Sequence, residues 1–291
     1  METYRISTDN MADLPEDYVK QHKLGMLSLS YMLEGVTYDC EHELPYAEFY
    51  KKMRNGSMPT TSQVNPETAK ERFEEMLAQE EGMKILHIAF SSGLSGSYAS
   101  AVAAAQEINE EAKEERVFVI DSLSASMGEG LCVHYALKNQ EQGMSLKENL
   151  EWLQQNRLHI CHNFTVEDLN HLYRGGRVSR ATAILGTMAN IKPLLHVDDE
   201  GHLVPVGKVR GRKKSLHGLV DAMEQQIGSY RDRNDVIFIS HGDSYEDACL
   251  VKELIQKRFG YESFLINYVG PTIGTHSGPG TIALFYLGEY R

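Results

Sequence analysis

The sequence predicts a two-domain α/β protein, its N-terminal half an open, mostly parallel sheet with helices on both faces. Three observations carry that prediction. Short apolar runs alternate with helical stretches through the first 150 or so residues, the runs end in small hydroxyl, carboxylate or glycine residues, and the texture changes after Ser145. A chain of 291 residues is long enough for two modest domains with a buried core. The boundary is placed at the strand that follows the change, giving domains 1–157 and 158–291.

Tyr4-Arg5-Ile6-Ser7-Thr8-Asp9 reads as a first strand, and a helix follows near Leu14 to His22. Leu24 to Leu33 alternates as a second strand, Glu34-Gly35 marks a turn, and Tyr46 to Met53 has helical spacing. Met58-Pro59-Thr60-Thr61-Ser62-Gln63 reads as a hydroxyl-rich loop, with Pro66 opening the helix Glu67 to Gln79. Ile85 to Phe90 is a buried strand that stops at Ser91-Ser92-Gly93-Leu94-Ser95-Gly96 before a helix begins at Ser97. Val117 to Ile120 is the next strand, with Asp121-Ser122 at its carboxyl end, and a helix follows around Leu131 to Gln142. Ligands of such sheets bind beyond the carboxyl ends of the strands. Ser7-Thr8-Asp9, Ser91-Ser92 and Asp121-Ser122 all fall at that edge.

In the second half, Ser145 and Glu148 are spaced as a capping box, Leu146 to Asn156 is helical, and Leu158 to Phe164 is a strand. Leu194 to Val206 reads as a hairpin turning at Asp199-Glu200-Gly201. Val236 to Ser240, the helix Tyr245 to Arg258 and the strand Ser263 to Val269 follow. Gly270 to Thr281 is a glycine-dense loop around His276, a composition that points to close backbone approach to a ligand.

The 91–96 loop has the chemistry of an anion site: free backbone N–H groups at a helix start, with hydroxyls beside them. A capped helix after a β-turn reads equally well from this stretch alone. The formal net charge of −12 argues against general nucleic-acid binding. No apolar run reaches the roughly 20 residues of a membrane span, and the N-terminal residues lack a secretory pattern, so a cytoplasmic protein without stable membrane insertion is expected. The four cysteines are scattered without a C-x-x-C pair, and His159, Cys161 and His162 form too small a cluster to suggest a metal site. Neither G-x-G-x-x-G nor G-x-x-x-x-G-K-[ST] occurs, and Gly93-Leu94-Ser95-Gly96-Ser97 departs from the hydrolase elbow at its last position. Arg174, Arg177, Arg180, Lys208, Arg210, Arg212, Lys213 and Lys214 stand out against the acidic background as a solvated basic face or a docking surface.

Seven segments, in order, resemble the DegV family: Pro59 to Gln63, Ser91 to Tyr98, Asp121-Ser122, Arg174 to Ser179, Ile191-Lys192-Pro193, Lys208-Val209-Arg210 and His276 to Gly280. The resemblance covers nearly the whole chain. It implies two α/β domains, the C-terminal one mixed or antiparallel, with a long-chain fatty acid buried between them and no cofactor. It implies the binding subunit of a fatty acid kinase, not catalytic alone, which presents the carboxylate to a separate ATP-binding subunit for conversion to acyl phosphate.

Position by position, the resemblance implies that Thr61 and Ser92 bind the carboxylate, with the Gly93 backbone and His276 nearby. Ser62 and Ser95 are further candidates that either bind ligand or cap a helix, and Ala125 falls in the segment that lines the acyl pocket. Arg177 and Arg210 match positions implicated in kinase docking or phosphoryl transfer. Two departures are visible: Val64-Asn65 delays Pro66, and serine stands at Ser97 where threonine is frequent in the family. Two alternatives remain. One is an acyl hydrolase using Ser92 with His276 as base and Asp9 or Asp121 as orienter; the other is a sensor that reports lipid occupancy through its basic patch.

Overall fold

The computed structural model describes residues 3–40, 42–180, 182 and 190–291. The N-terminal half runs β1 (Tyr4–Asp9), α1 (Glu16–Gln21), β2 (Gly25–Leu27), β3 (Ser30–Leu33), β4 (Val36–Tyr38), α2 (Tyr46–Arg54), β5 (Thr60–Ser62), α3 (Pro66–Leu77), β6 (Lys84–Ala89), α4 (Ser97–Ala112), β7 (Val117–Asp121), α5 (Met127–Glu141) and α6 (Leu146–Asn156). The described remainder runs β8 (Ile160–Thr165), α7 (Asn170–Arg174), β9 (Ile191–Val197), β10 (Leu203–Arg210), α8 (Arg212–Gln226), β11 (Ile237–His241), α9 (Tyr245–Phe259), β12 (Phe264–Tyr268), α10 (Pro271–Ser277) and β13 (Ile282–Leu287).

The first sheet has the order β2-β1-β6-β7 and every pairing in it is parallel. Successive strand residues point to opposite faces, and both faces are apolar. Ile85 and Val117 pack with Phe73 of α3 and Ala101 and Ala104 of α4. Ile6, Leu86 and Ile88 pack on the other side with Leu131 of α5 and Leu153 of α6.

The second sheet is mixed, with the order β10-β9-β8-β13-β11-β12, of which only β11 and β12 pair in parallel. Leu216 and Val220 of α8 and Val251 of α9 cover one face. The other face turns toward α5, which touches strands of both sheets. A helix enclosed on two sides needs apolar or small residues all round. Eleven of its residues are accordingly buried, Gly128 and Gly130 among them. Among the described residues no helix is long and apolar enough to cross a membrane.

Four elements differ from the sequence reading. Leu24 to Leu33 is not one strand: β2 joins the parallel sheet, whereas β3 joins a separate antiparallel sheet of order β4-β3-β5. The break lies at Leu29, whose N–H and C=O are both taken by the Asn10 side chain, each at 2.9 Å, in place of a strand neighbour. The 58–63 stretch, expected as a loop, holds β5 because Thr60 to Ser62 pair with Ser30 to Met32. The 270–281 stretch, also expected as a loop, contains α10, which opens with Pro271 and stops at Gly278 with φ 79°. That is the usual proline-first, glycine-last punctuation of a helix. The strand β13 after it had no counterpart in the sequence reading and lies near the centre of the mixed sheet.

Candidate functional site

A cavity of about 590 Å³ lies between the inner face of the mixed sheet, the start of α5, the 90–95 loop, the small antiparallel sheet and α10. Its floor follows from strand register. Ser240 of β11 stands beside Ala283 of β13, and Ala283 beside Phe164 of β8; one row away, Phe285 stands beside His162. All five side chains line the cavity, with further apolar surface from Met11, Leu29 and Phe90. Such a space is mainly apolar with a few placed polar groups, as small-molecule sites usually are.

One corner brings several of those polar groups together. Thr61 of β5 lies 2.9 Å from His276 of α10, Oγ1 to Nε2. Among the described residues His276 Nδ1 is buried without a hydrogen-bond partner. The imidazole is pushed down to about 4, first by burial and then by the Arg177 guanidinium, so it is neutral at pH 7. Gly175 explains how the ring fits: a Cβ there would lie 2.1 Å from Nδ1.

Arg177 borders the same corner. Its Nε donates to the Leu94 carbonyl at 3.2 Å and its Nη1 to the Gly175 carbonyl. Burial lowers its pKa from the ordinary arginine value, and among the described residues no carboxylate pairs with it. A half-buried cation that faces a cavity without an anionic partner favours an anionic ligand. The resemblance implied a docking role for Arg177; the structure places it in the cavity wall. Arg210, at the end of the edge strand β10, is exposed.

The other expected residues separate cleanly. Ser95 lines the cavity and also serves the start of α4, its Oγ accepting from Ser97 N at 3.2 Å. Ala125 lines the cavity too, and its N–H donates to His162 Nε2 at 3.2 Å. Ser92, Gly93 and Ser62 are not among its lining residues. Ser92 is exposed, its N–H held by Asp121 Oδ1 at 3.2 Å, and it makes no hydrogen bond with His276. Gly93 packs on the hairpin turn, where a Cβ would meet the Glu200 carbonyl at 2.9 Å. Ser62 is exposed, as strand alternation requires once Thr61 faces His276.

The two aspartates offered as orienters support backbone instead. Asp9 accepts from Met11 N and Phe90 N, and Asp121 from Ser92 N and Leu123 N. Burial raises Asp9 to about 6. Glu129, which accepts from Thr8 Oγ1 at 2.6 Å, is raised well above the usual carboxyl range by burial and then by Asp9. His162, considered in the sequence beside Cys161, packs its ring over Gly128, and its Nδ1 lies 2.9 Å from the Ile160 carbonyl. Sequence reasoning did not single out Gly175 or Ser240 for the site, the first inside a basic motif and the second an ordinary strand-end serine; Ser126 was reached only as part of the 124–126 segment that the resemblance sets at the acyl pocket.

The DegV family model matches residues 3–289. A DegV domain-containing protein of Clostridium perfringens is 40% identical over 293 residues, covering 100% of this chain and 99% of its own. A second, from Lactococcus lactis, is 38% identical, covering 98% of each chain. Among solved structures, one described as showing fatty acid binding of a DegV family protein from Thermus thermophilus superposes with TM-score 0.86 at 31% identity. It covers 98% of this chain and 99% of that one. DegV of Bacillus subtilis, described as a fatty acid binding protein, gives 0.83 at 27% identity, covering 99% and 100%.

Proposed function

The chain belongs to the DegV family, and from that premise we propose that it binds a long-chain fatty acid in the cavity. Its carboxylate sits in the corner formed by Thr61, Ser95, Arg177 and His276, and the apolar walls bury the tail. The observation that carries this reading is Arg177, without a carboxylate partner among the described residues, beside the Thr61–His276 pair at one corner of a mainly apolar space. The solved relatives described as fatty acid binding support it. Each buried CH₂ contributes about 0.8 kcal/mol, so the tail supplies the affinity and the corner fixes the orientation.

The protein then acts as a cytoplasmic carrier that presents the head group to a separate ATP-binding kinase subunit. A carboxylate oxygen attacks the γ-phosphorus of ATP, the bond to ADP breaks, and acyl phosphate forms. The exposed Lys208 and Arg210 on the edge strand β10 suit contact with such a partner. Native mass spectrometry of protein purified without added lipid tests the binding claim. A bound mass in the long-chain fatty acid range is expected; a ligand-free protein that also refuses oleate and palmitate overturns it.

A further inference from the structure

A second polar feature lines the cavity, on the wall formed by β11 and the start of α5. Ser240 Oγ lies 3.0 Å from Ser126 Oγ. Ser126 in turn donates to Asp13 Oδ2, and the other Asp13 oxygen accepts from Gly270 N at 2.9 Å. All three side chains are buried, and both serines line the cavity. Ser126 holds its hydroxyl there from a backbone at φ 53° and ψ −142°, a region that residues with a Cβ rarely adopt.

This relay ties three distant segments together, and Ser126 alone would satisfy Asp13. Ser240 is the end of the relay: among the described residues its hydroxyl has Ser126 as its one partner. An alanine would suit a saturated tail better, because the bonding capacity that Ser126 leaves unused on the Ser240 hydroxyl is unmet against a chain of CH₂ groups. On the β13 and β8 side its neighbours across the sheet, Ala283 and Phe164, are apolar, so Ser240 and Ser126 form a polar point beside an apolar stretch of floor.

We propose that Ser240, backed by Ser126, is a hydrogen-bonding station for a hydroxyl carried part-way along the ligand's chain, so that the cavity favours hydroxylated long-chain fatty acids over unsubstituted ones. This rests on the fatty-acid reading above. A hydroxyl is the matching group because it both donates and accepts. With Asp13 ionised, Ser126 donates to it, Ser240 donates to Ser126, and Ser240 lone pairs are left for the ligand. With Asp13 protonated the relay reverses, and Ser240 O–H is left instead. Burial raises Asp13 to about 8, so both directions are available near neutral pH.

Titration calorimetry of the full chain with stearate and with monohydroxystearates substituted at successive positions tests the inference, using wild type and Ser240→Ala. One hydroxyl position is expected to bind roughly three- to tenfold more tightly than stearate, the increment of one net hydrogen bond. Ser240→Ala should erase that preference and bind stearate slightly more tightly than wild type, since the floor loses a hydroxyl while Ser126 still satisfies Asp13. If stearate binds but no hydroxystearate exceeds it, or if the preference survives in Ser240→Ala, the inference is overturned alone. If neither class binds, the fatty-acid reading falls and takes it along.

Discussion

Thr61 Oγ1 and His276 Nε2 lie 2.9 Å apart although 215 positions separate them in the chain. Because the imidazole is neutral at pH 7, the pair has two protons to place and one internal bond to make. If the ring proton is on Nε2, it donates to Thr61, and the threonine O–H is left over. If it is on Nδ1, Thr61 donates to Nε2, and the Nδ1–H is left over. Either tautomer leaves one donor in excess, which suits a carboxylate better than an ester.

Thr61→Val keeps the shape and removes the hydroxyl. A hydrogen bond to a charged group contributes about 1.5–3 kcal/mol, so oleate affinity should fall by roughly tenfold or more while methyl oleate binding stays the same. Calorimetric titration with both ligands decides it, and an equal loss for the ester would mean that packing, not the hydroxyl, had been disturbed. Ser92→Ala should leave both affinities at wild-type values, because Ser92 is exposed and off the cavity wall.

Arg177 and Arg210 should part company. Arg177→Met removes the cation from the wall and keeps most of the stem's apolar contact, so fatty acid affinity should drop at least tenfold, with the loss confined to acids. Arg210→Glu should leave lipid binding intact and slow phosphorylation by the cognate kinase. A wild-type lipid affinity in Arg177→Met would remove that arginine from the head-group corner.

Much of this arrangement was legible in the sequence, and the rest was hidden for identifiable reasons. The 91–97 stretch was found by composition, yet composition does not say which serine faces inward. The Ser91 carbonyl accepts from both Leu94 and Ser95 N–H, a turn that brings Ser95 to the cavity and leaves Ser92 outside. Thr61 and Ser62 would have separated by strand alternation had their segment been read as a strand. Arg177 looked like surface charge because what holds it at the cavity is a tertiary bond, from its Nε to the Leu94 carbonyl 83 positions away in the chain. The Ser126–Ser240 contact joins residues 114 apart and follows from tertiary structure alone.

Gly175→Ala should act at a distance in sequence. The backbone there is ordinary, with φ −72°, so the added methyl meets no conformational penalty of its own. It meets His276 Nδ1 at 2.1 Å and must displace the ring from Thr61. A loss of about 1–3 kcal/mol in stability is expected from such overpacking, with a larger fractional loss in oleate affinity. Gly207→Ala is the control, its methyl meeting nothing nearer than Leu194 at 3.9 Å. Matching melting curves and affinities for the two variants would exclude the steric account.

Stability should decline as pH rises from 6.5 to 8. Burial raises Asp13 from 3.8 to about 8. A carboxyl whose folded pKa is raised contributes stability that is fully present below its unfolded value and lost as pH climbs through the folded value. Glu129 is raised as well and acts in the same direction. Below 6.5 the buried histidines oppose this trend: His87, His162, His241 and His276 are all lowered by burial, so the unfolded chain takes up protons there that the fold refuses. Above 6.5 they are largely neutral in both states, which leaves the carboxyls visible. From Asp13 alone the fall between pH 6.5 and 8 is roughly 1–2 kcal/mol. Urea midpoints at the two pH values should therefore differ in wild type and differ less in Asp13→Asn, which cannot ionise. An unchanged slope in the variant would assign the pH dependence to groups other than Asp13.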